Sequence, residues 1–126
     1  MHRSKLAGFI IDCQTGDVLG AGQFWGAALG MATRYDPATE GERYVRLIDP
    51  LQRLHIEVQA VAHESRVHLD IESDDIEAEV RRLEHLGARV HQRFPRWVVM
   101  EAPTGQRFCV VRPSSPDFAQ TANQWE

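Results

Sequence analysis

The chain has 126 residues, of which 43% are hydrophobic and 25% charged, a balance typical of one globular domain and not of a disordered or fibrous protein. Fourteen basic residues against eighteen acidic ones give a net charge of −4, and the basic residues are scattered, which argues against nucleic acid as a partner. The first apolar run is short and ends at Asp12, so we expect no membrane span and a cytoplasmic protein. Cys13 and Cys109 lie in apolar runs, which favours two free thiols.

The first half of the chain predicts the element order β-α-β-β-β. Residues 5–13 form an apolar run typical of a strand, and QTGD then supplies turn and helix-starting residues. Apolar residues recur at helical spacing over residues 18–29, and Gly30 stands where a left-handed cap would end a helix. Three glycines inside this segment disfavour the helix by up to about 1 kcal/mol each relative to alanine. Three strands follow, in MATRYD, RYVRLI and RLHIEVQAV, separated by the turn segments PATEGE and DPLQ.

The same order begins again at Arg66. RVHLDIE alternates, which places His68, Asp70 and Glu72 on one face of a strand and the apolar residues on the other. A helix is predicted over residues 74–86, with Asp74 and Glu77 as a capping box and a buried stripe of Ile76, Val80, Leu83 and Leu86. Three more strands follow, in ARVHQRF, RWVVME and RFCVVRP.

The two copies together predict an α+β fold. We expect a single domain over residues 1–126, with βαβββ units at 5–60 and 66–113 and a tail at 114–126. Each copy alone would leave one sheet face bare, so two tandem units should form a curved mixed sheet around a central cleft. Phe118 and Trp125 in the polar tail favour a strap packed on the domain over a disordered end.

The segment RVHLDIESDDIEAEVRRLEHLGARV, followed by a tryptophan, a P-x-G turn and FCVV, resembles glyoxalase-like domains of the vicinal oxygen chelate superfamily. The resemblance covers nearly the whole chain and implies the paired βαβββ architecture. The superfamily includes glyoxalases, ring-cleaving dioxygenases, epimerases and bleomycin-sequestering proteins, so the resemblance implies the fold more closely than the reaction.

The resemblance also implies where a metal would bind. In metal-using members, His, Glu or Gln side chains from the first and last strands of each copy hold a divalent ion. These four positions fall at Gly8, at Glu57 or Gln59, at His68 and at Cys109. Gly8 has no side chain and Cys109 replaces a common glutamate, so the ligand set is incomplete. We therefore expect no metal or a weakly bound one, with zinc or nickel favoured over magnesium or manganese.

His68 and Glu57 are the predicted catalytic residues and metal ligands. His68 could equally be a hydrogen-bonded histidine lining the cleft, and Glu57 or Asp70 could be an ion-paired carboxylate or a general base. Cys109 fits a small buried apolar residue in such a strand. Further residues are predicted to contact a ligand: Asp70, His55, Gln59, Trp97 and Cys109. The strand register of Glu57 against Gln59, and the side of the sheet on which Trp97 lies, stay open.

Two functions are compatible with these residues. One is a lyase or isomerase acting on a small oxygenated molecule in the cleft between the copies. The other is a protein that sequesters a small molecule, such as an antibiotic, without chemistry and without a metal. The family resemblance also suggests a homodimer.

Overall fold

A computed structural model describes all residues, 1–126, and contains nine strands and four helices. The chain divides into two compact units. One is Phe9–Val67, called here the N-unit, and the other comprises Met1–Gly8 and His68–Glu126, called here the C-unit. Strand β1 (His2–Gln14) contributes its first residues to the C-unit and the rest to the N-unit. The mixed α+β class and the repeated β-α-β-β-β order are confirmed, whereas the domain boundaries predicted from the sequence stay a prediction.

The N-unit follows the predicted order with one added element. After β1 come α1 (Val18–Leu29), β2 (Ala32–Arg34), α2 (Pro37–Glu40), β3 (Tyr44–Ile48) and β4 (His55–Val61). Helix α1 has the predicted bounds, and Gly30 ends it in the left-handed region at φ 68°. The short helix α2 occupies part of PATEGE, which the sequence indicated as a turn. The strands lie in the order β2-β3-β4-β1.

Two of the three glycines in α1 allow the helix to pack closely on its sheet. A methyl group added at Gly22 would lie 2.7 Å from Cγ1 of Val45, and one added at Gly26 would lie 2.6 Å from Cγ2 of Thr33. Residues that weaken a helix by propensity therefore permit a close approach to β2 and β3. The core beneath the helix consists of Ile11, Val45, Leu47, Ile56 and Val58.

The turn before β4 is built on Asp49. Its carboxylate accepts hydrogen bonds from the backbone N–H groups of Leu51, Leu54 and Arg53 at 2.9–3.1 Å. The bonds from Leu51 and Leu54 in particular hold the pKa of Asp49 below its usual value. This turn sets where β4 begins, and His55 is the first residue of that strand.

The C-unit contains the second repeat and the tail. Its strands and helices are β5 (Arg66–Ser73, whose first two residues belong to the N-unit), α3 (Ile76–His85), β6 (Arg89–Arg93), β7 (Trp97–Glu101), β8 (Arg107–Val111), α4 (Phe118–Thr121) and β9 (Asn123–Trp125). The strand order is β1-β5-β8-β7-β6, with β9 beside the start of β1. Strand β8 is parallel to β5 and antiparallel to β7, so the sheet is mixed as predicted.

Two details predicted for α3 are wrong. The N-cap is Asp75, whose side chain accepts a hydrogen bond from the N–H of Ala78, because Asp74 instead accepts one from the backbone N–H of Arg3. Leu86 is not part of the buried stripe but is 66% exposed, since the helix ends at His85 and the chain turns away at Gly87. Val80 and Leu83 are buried in the core as predicted.

The tail is a strap, as expected. Phe118 is buried, and β9 pairs antiparallel with β1. Trp125 donates a hydrogen bond through Nε1 to the hydroxyl of Ser4 at 2.8 Å, and the guanidinium of Arg82 lies 3.9 Å from the centre of the Trp125 ring. These contacts fasten the end of the chain to β1 and α3.

A buried carboxylate lies under this strap. Glu79 of α3 is fully buried and receives hydrogen bonds from Arg82, His2 and Ser4 at 2.7–2.8 Å. Burial by itself raises the pKa of Glu79, but the hydrogen bonds from these three side chains outweigh it and lower the pKa below its usual value.

Candidate functional site

The C-unit presents a polar sheet face on the side away from α3. Strand register pairs Asp70 of β5 with Cys109 of β8, and Cys109 with Val99 of β7. The alternate residues Ile71 and Val110 pack in the core beneath α3. The alternation predicted for β5 is therefore observed, and it places His68 and Asp70 on the face that carries Cys109.

His68, Asp70 and Cys109 form one compact group, called here the His68 group. One donor atom from each lies within 4.8 Å of the others. The Nε2 atom of His68 is 3.4 Å from Oδ1 of Asp70, and the two side chains are 14% and 15% exposed. Oδ1 of Asp70 is buried and accepts no hydrogen bond. A buried carboxylate oxygen beside an imidazole and a thiol is an arrangement suited to holding either a proton or a cation.

Charged and aromatic side chains lie on the same strands. Glu101 of β7 is hydrogen-bonded by Arg89 and Arg107 on the flanking strands, and these bonds hold the pKa of Glu101 below its usual value. Trp97 pairs with Val111 and is two residues from Val99, so it lies on the face of the His68 group. Its ring stacks on that of Phe94 with centroids 4.6 Å apart. The question left open by the sequence for Trp97 is thus answered.

The N-unit has a polar sheet face of its own. His55, Glu57 and Gln59 alternate along β4 with the buried residues Ile56 and Val58, so all three point away from the core. Nε2 of His55 is 2.7 Å from Oε1 of Glu57. The register pairs Glu57 with Arg46 and Gln59 with Tyr44, and the amide of Gln59 donates a hydrogen bond to the Tyr44 hydroxyl at 2.9 Å. Glu57 and Gln59 therefore share one face, and that one of them occupies a ligand position stays a prediction.

The structure gathers the predicted residues into two groups. His68 lies with Asp70 and Cys109 in the C-unit, while Glu57 lies with His55 and a third residue, Glu40, in the N-unit. That His68 and Glu57 act on one ligand stays a prediction. Glu40 was missed because it comes from the short helix α2, whereas the alternation in RYVRLI could have identified Tyr44 and Arg46.

Comparison with known proteins supports the architecture. The model of the glyoxalase-like domain family matches residues 8–111. The chain belongs to the glyoxalase-like domain family. No curated protein matches it in sequence.

Three solved structures have a fold similar to that of this glyoxalase-like chain. Methylmalonyl-CoA epimerase from Mycobacterium tuberculosis is 20% identical, with a TM-score of 0.61 over 90% of each chain. A methylmalonyl-CoA epimerase in complex with methylmalonyl-CoA and NH₄⁺ is 15% identical, with a TM-score of 0.59 over 90% of this chain and 96% of the other. A glyoxalase/bleomycin resistance protein/dioxygenase superfamily member from Vibrio splendidus 12B01 is 14% identical, with a TM-score of 0.53 over 90% of this chain and all of the other. At these identities the likeness shows the fold.

The donors of the His68 group suit a zinc-type ion better than a hard ion that prefers oxygen ligands. Gly8 offers no donor, but imidazole, carboxylate and thiolate donors of the His68 group are all zinc ligands, and three protein ligands leave a position for water or substrate.

None of the four helices is long and apolar enough to cross a membrane.

Proposed function

We propose that this glyoxalase-like protein binds a small oxygenated molecule at the His68 group and acts there as a lyase or isomerase. The observation that carries the proposal is the largely buried cluster of His68, Asp70 and Cys109 on the sheet face opposite α3. Buried donors that converge with an unsatisfied oxygen are characteristic of binding and catalytic sites.

The chemistry expected of this group is proton transfer next to a carbonyl. The imidazole of His68 can take or return a proton, and the Asp70 carboxylate carries the charge opposite to that of a protonated His68, so the pair can hold a proton during the reaction. Two of the solved neighbours are named as epimerases of a CoA thioester, which makes proton exchange at a carbon beside a thioester the first reaction to test.

A zinc or nickel ion, if bound, would be held by His68 and Cys109 with Asp70, and would polarise a substrate carbonyl. Without an ion, His68 and Asp70 themselves orient the substrate and move the proton. Glu57 remains the second residue proposed for acid–base work, and the exchange assay described next, repeated with Glu57→Gln, tests it.

The test is hydrogen exchange at the substrate carbon in deuterium oxide, followed by NMR. Methylmalonyl-CoA, other acyl-CoA thioesters and the hemithioacetal of a 2-oxoaldehyde are incubated with the protein. We expect exchange for at least one of them, abolished by His68→Gln and retained by His91→Gln, since His91 is an exposed histidine on β6.

Saturable binding without exchange would support instead the alternative function, a protein that sequesters a small molecule. Exchange that persists unchanged in His68→Gln would contradict the assignment of the site.

A further inference from the structure

The N-unit holds a second cluster of side chains of the types that ligate metals. The proposed function assigns no joint role to this cluster. Glu40 is the last residue of α2, and His55 and Glu57 lie on the polar face of β4, on either side of the buried Ile56. The carbonyl of Pro37 accepts a hydrogen bond from the N–H of Gly41, which follows Glu40, so the position of the Glu40 backbone is defined by a closed helical turn. The cluster thus joins a helix end to a strand.

The three side chains converge. One donor atom from each of Glu40, His55 and Glu57 lies within 4.8 Å of the others. The His55 and Glu57 side chains are 20% and 13% exposed, and that of Glu40 is 17% exposed. All three are therefore largely withdrawn from water, where two carboxylates near each other repel more strongly than they would at the surface.

Two carboxylate oxygens of this cluster have no hydrogen-bond donor. Oε2 of Glu57 and Oε1 of Glu40 are both buried and accept no hydrogen bond. A buried carboxylate oxygen without a donor is costly, and such groups are usually paired or coordinate a metal. Two arginines lie nearby. Nη2 of Arg34 is 3.5 Å from Oε1 of Glu40, and Arg46 faces Glu57 in the strand register. These arginines offset part of the negative charge but leave the two oxygens without a bonded hydrogen.

We propose that Glu40, His55 and Glu57 form a divalent cation site of the manganese class within the N-unit. Two carboxylates and one imidazole supply hard oxygen donors with one nitrogen, which suits Mn²⁺ better than Mg²⁺, whose sites seldom include nitrogen. Three protein ligands leave coordination positions for water or for an anionic group of a ligand. The His68 group differs in including a thiol, so the two clusters favour different ions. The proposal does not depend on the reaction proposed above.

The experiment uses the whole folded protein, from which a chelator has removed any bound metal. It is titrated with MnCl₂, and the electron paramagnetic resonance signal measures the free Mn²⁺. We expect saturable binding at one site. Glu40→Gln should weaken it at least about tenfold, as expected when a ligand is lost. The matched control is Glu42→Gln, because Glu42 is an exposed glutamate on the same loop and its loss should leave the affinity unchanged.

A second measurement locates the ion without relying on a variant. Paramagnetic broadening by Mn²⁺ should remove the backbone amide signals of Ile48 and Ile56, which adjoin His55 and Glu57, at substoichiometric ion. Cys109→Ser should retain Mn²⁺ binding even if it abolishes any activity at the His68 group, so failure of one proposal is distinguishable from failure of the other.

The proposal is overturned if no saturable Mn²⁺ binding occurs at millimolar concentration, since the cluster is then an ion-pair network only. It is also overturned if Glu40→Gln binds as tightly as the unaltered protein, or if broadening is absent from β3 and β4.

Discussion

Replacing Gly22 by alanine tests the packing of α1 most sharply, because two effects of opposite sign compete. Helix propensity alone predicts that Gly22→Ala stabilises the protein by about 1 kcal/mol. The new methyl group, however, would lie 2.7 Å from Cγ1 and 2.9 Å from Cβ of Val45, which is only 2% exposed and belongs to the core. Overpacking of this kind costs about 1–3 kcal/mol, which cancels or exceeds the propensity gain, so we expect a net loss of up to about 2 kcal/mol and a Tm lower by up to about 10 °C.

Urea unfolding followed by circular dichroism measures this difference. Ala27→Gly, at an exposed position of the same helix, gives the propensity contribution alone and should cost about 1 kcal/mol. Adding Val45→Ala to Gly22→Ala removes both γ-methyl groups of Val45, including the atom nearest the new methyl group, so the double variant should be more stable than the sum of the single changes predicts. A Gly22→Ala protein that is more stable than the original by the full propensity gain would refute the close packing of α1 on β3.

Further substitutions test the cap, the buried carboxylate, the strap and the assembly. Asp75→Ala removes the N-cap of α3 and should lower the free energy of unfolding by about 1 kcal/mol, measured by urea titration. Glu79→Gln should lower it by about 3 kcal/mol at neutral pH. Because the folded-state pKa of Glu79 lies below its usual value of 4.5, the contribution is fully present above pH 4.5 and is lost as the pH falls through the folded-state pKa, so the difference between the two proteins should shrink in acid. Trp125→Phe keeps an aromatic ring but removes the hydrogen bond to Ser4, and should cost at least about 1 kcal/mol, whereas no change in Tm would contradict a fastened strap. Light scattering should give twice the 14.3 kDa chain mass if the expected homodimer forms, and a monomer would refute it.

The sequence predicted best those features that depend on local periodicity. The alternation in RVHLDIE placed His68 and Asp70 on the same side of β5 as each other, and the structure adds Cys109 beside them through the register of β5 and β8. Helix α1 was predicted to the residue because Gly30 marks its end, even though the glycines inside it argue against a helix. The need for Gly22 and Gly26 comes from tertiary packing, since it depends on where Val45 and Thr33 approach the helix.

Features that depend on long-range partners were not predictable in the same way. The spacing to Glu77 favours Asp74 as the cap in the sequence, but Asp74 accepts a hydrogen bond from the backbone of Arg3, and Asp75 caps the helix instead. Glu79 resembles a solvated helix residue, yet it is buried because His2, Ser4 and Arg82 converge on it. Glu40 similarly comes close to His55 and Glu57 only through the path of the folded chain, because it is far from both in sequence.

Cobalt binding tests the central claim most directly, because Co²⁺ occupies zinc-type sites and a cysteine ligand gives it a characteristic thiolate charge-transfer absorption. We predict that this absorption appears on titration of the reduced protein with Co²⁺ and that Cys109→Ser or His68→Gln abolishes it. Cys13→Ser should leave it intact, because Cys13 packs against the N-unit core and is not a member of the His68 group. An absorption that survives Cys109→Ser would contradict the assignment of His68, Asp70 and Cys109 as one binding site, and its absence at saturating Co²⁺ would contradict a metal at this group.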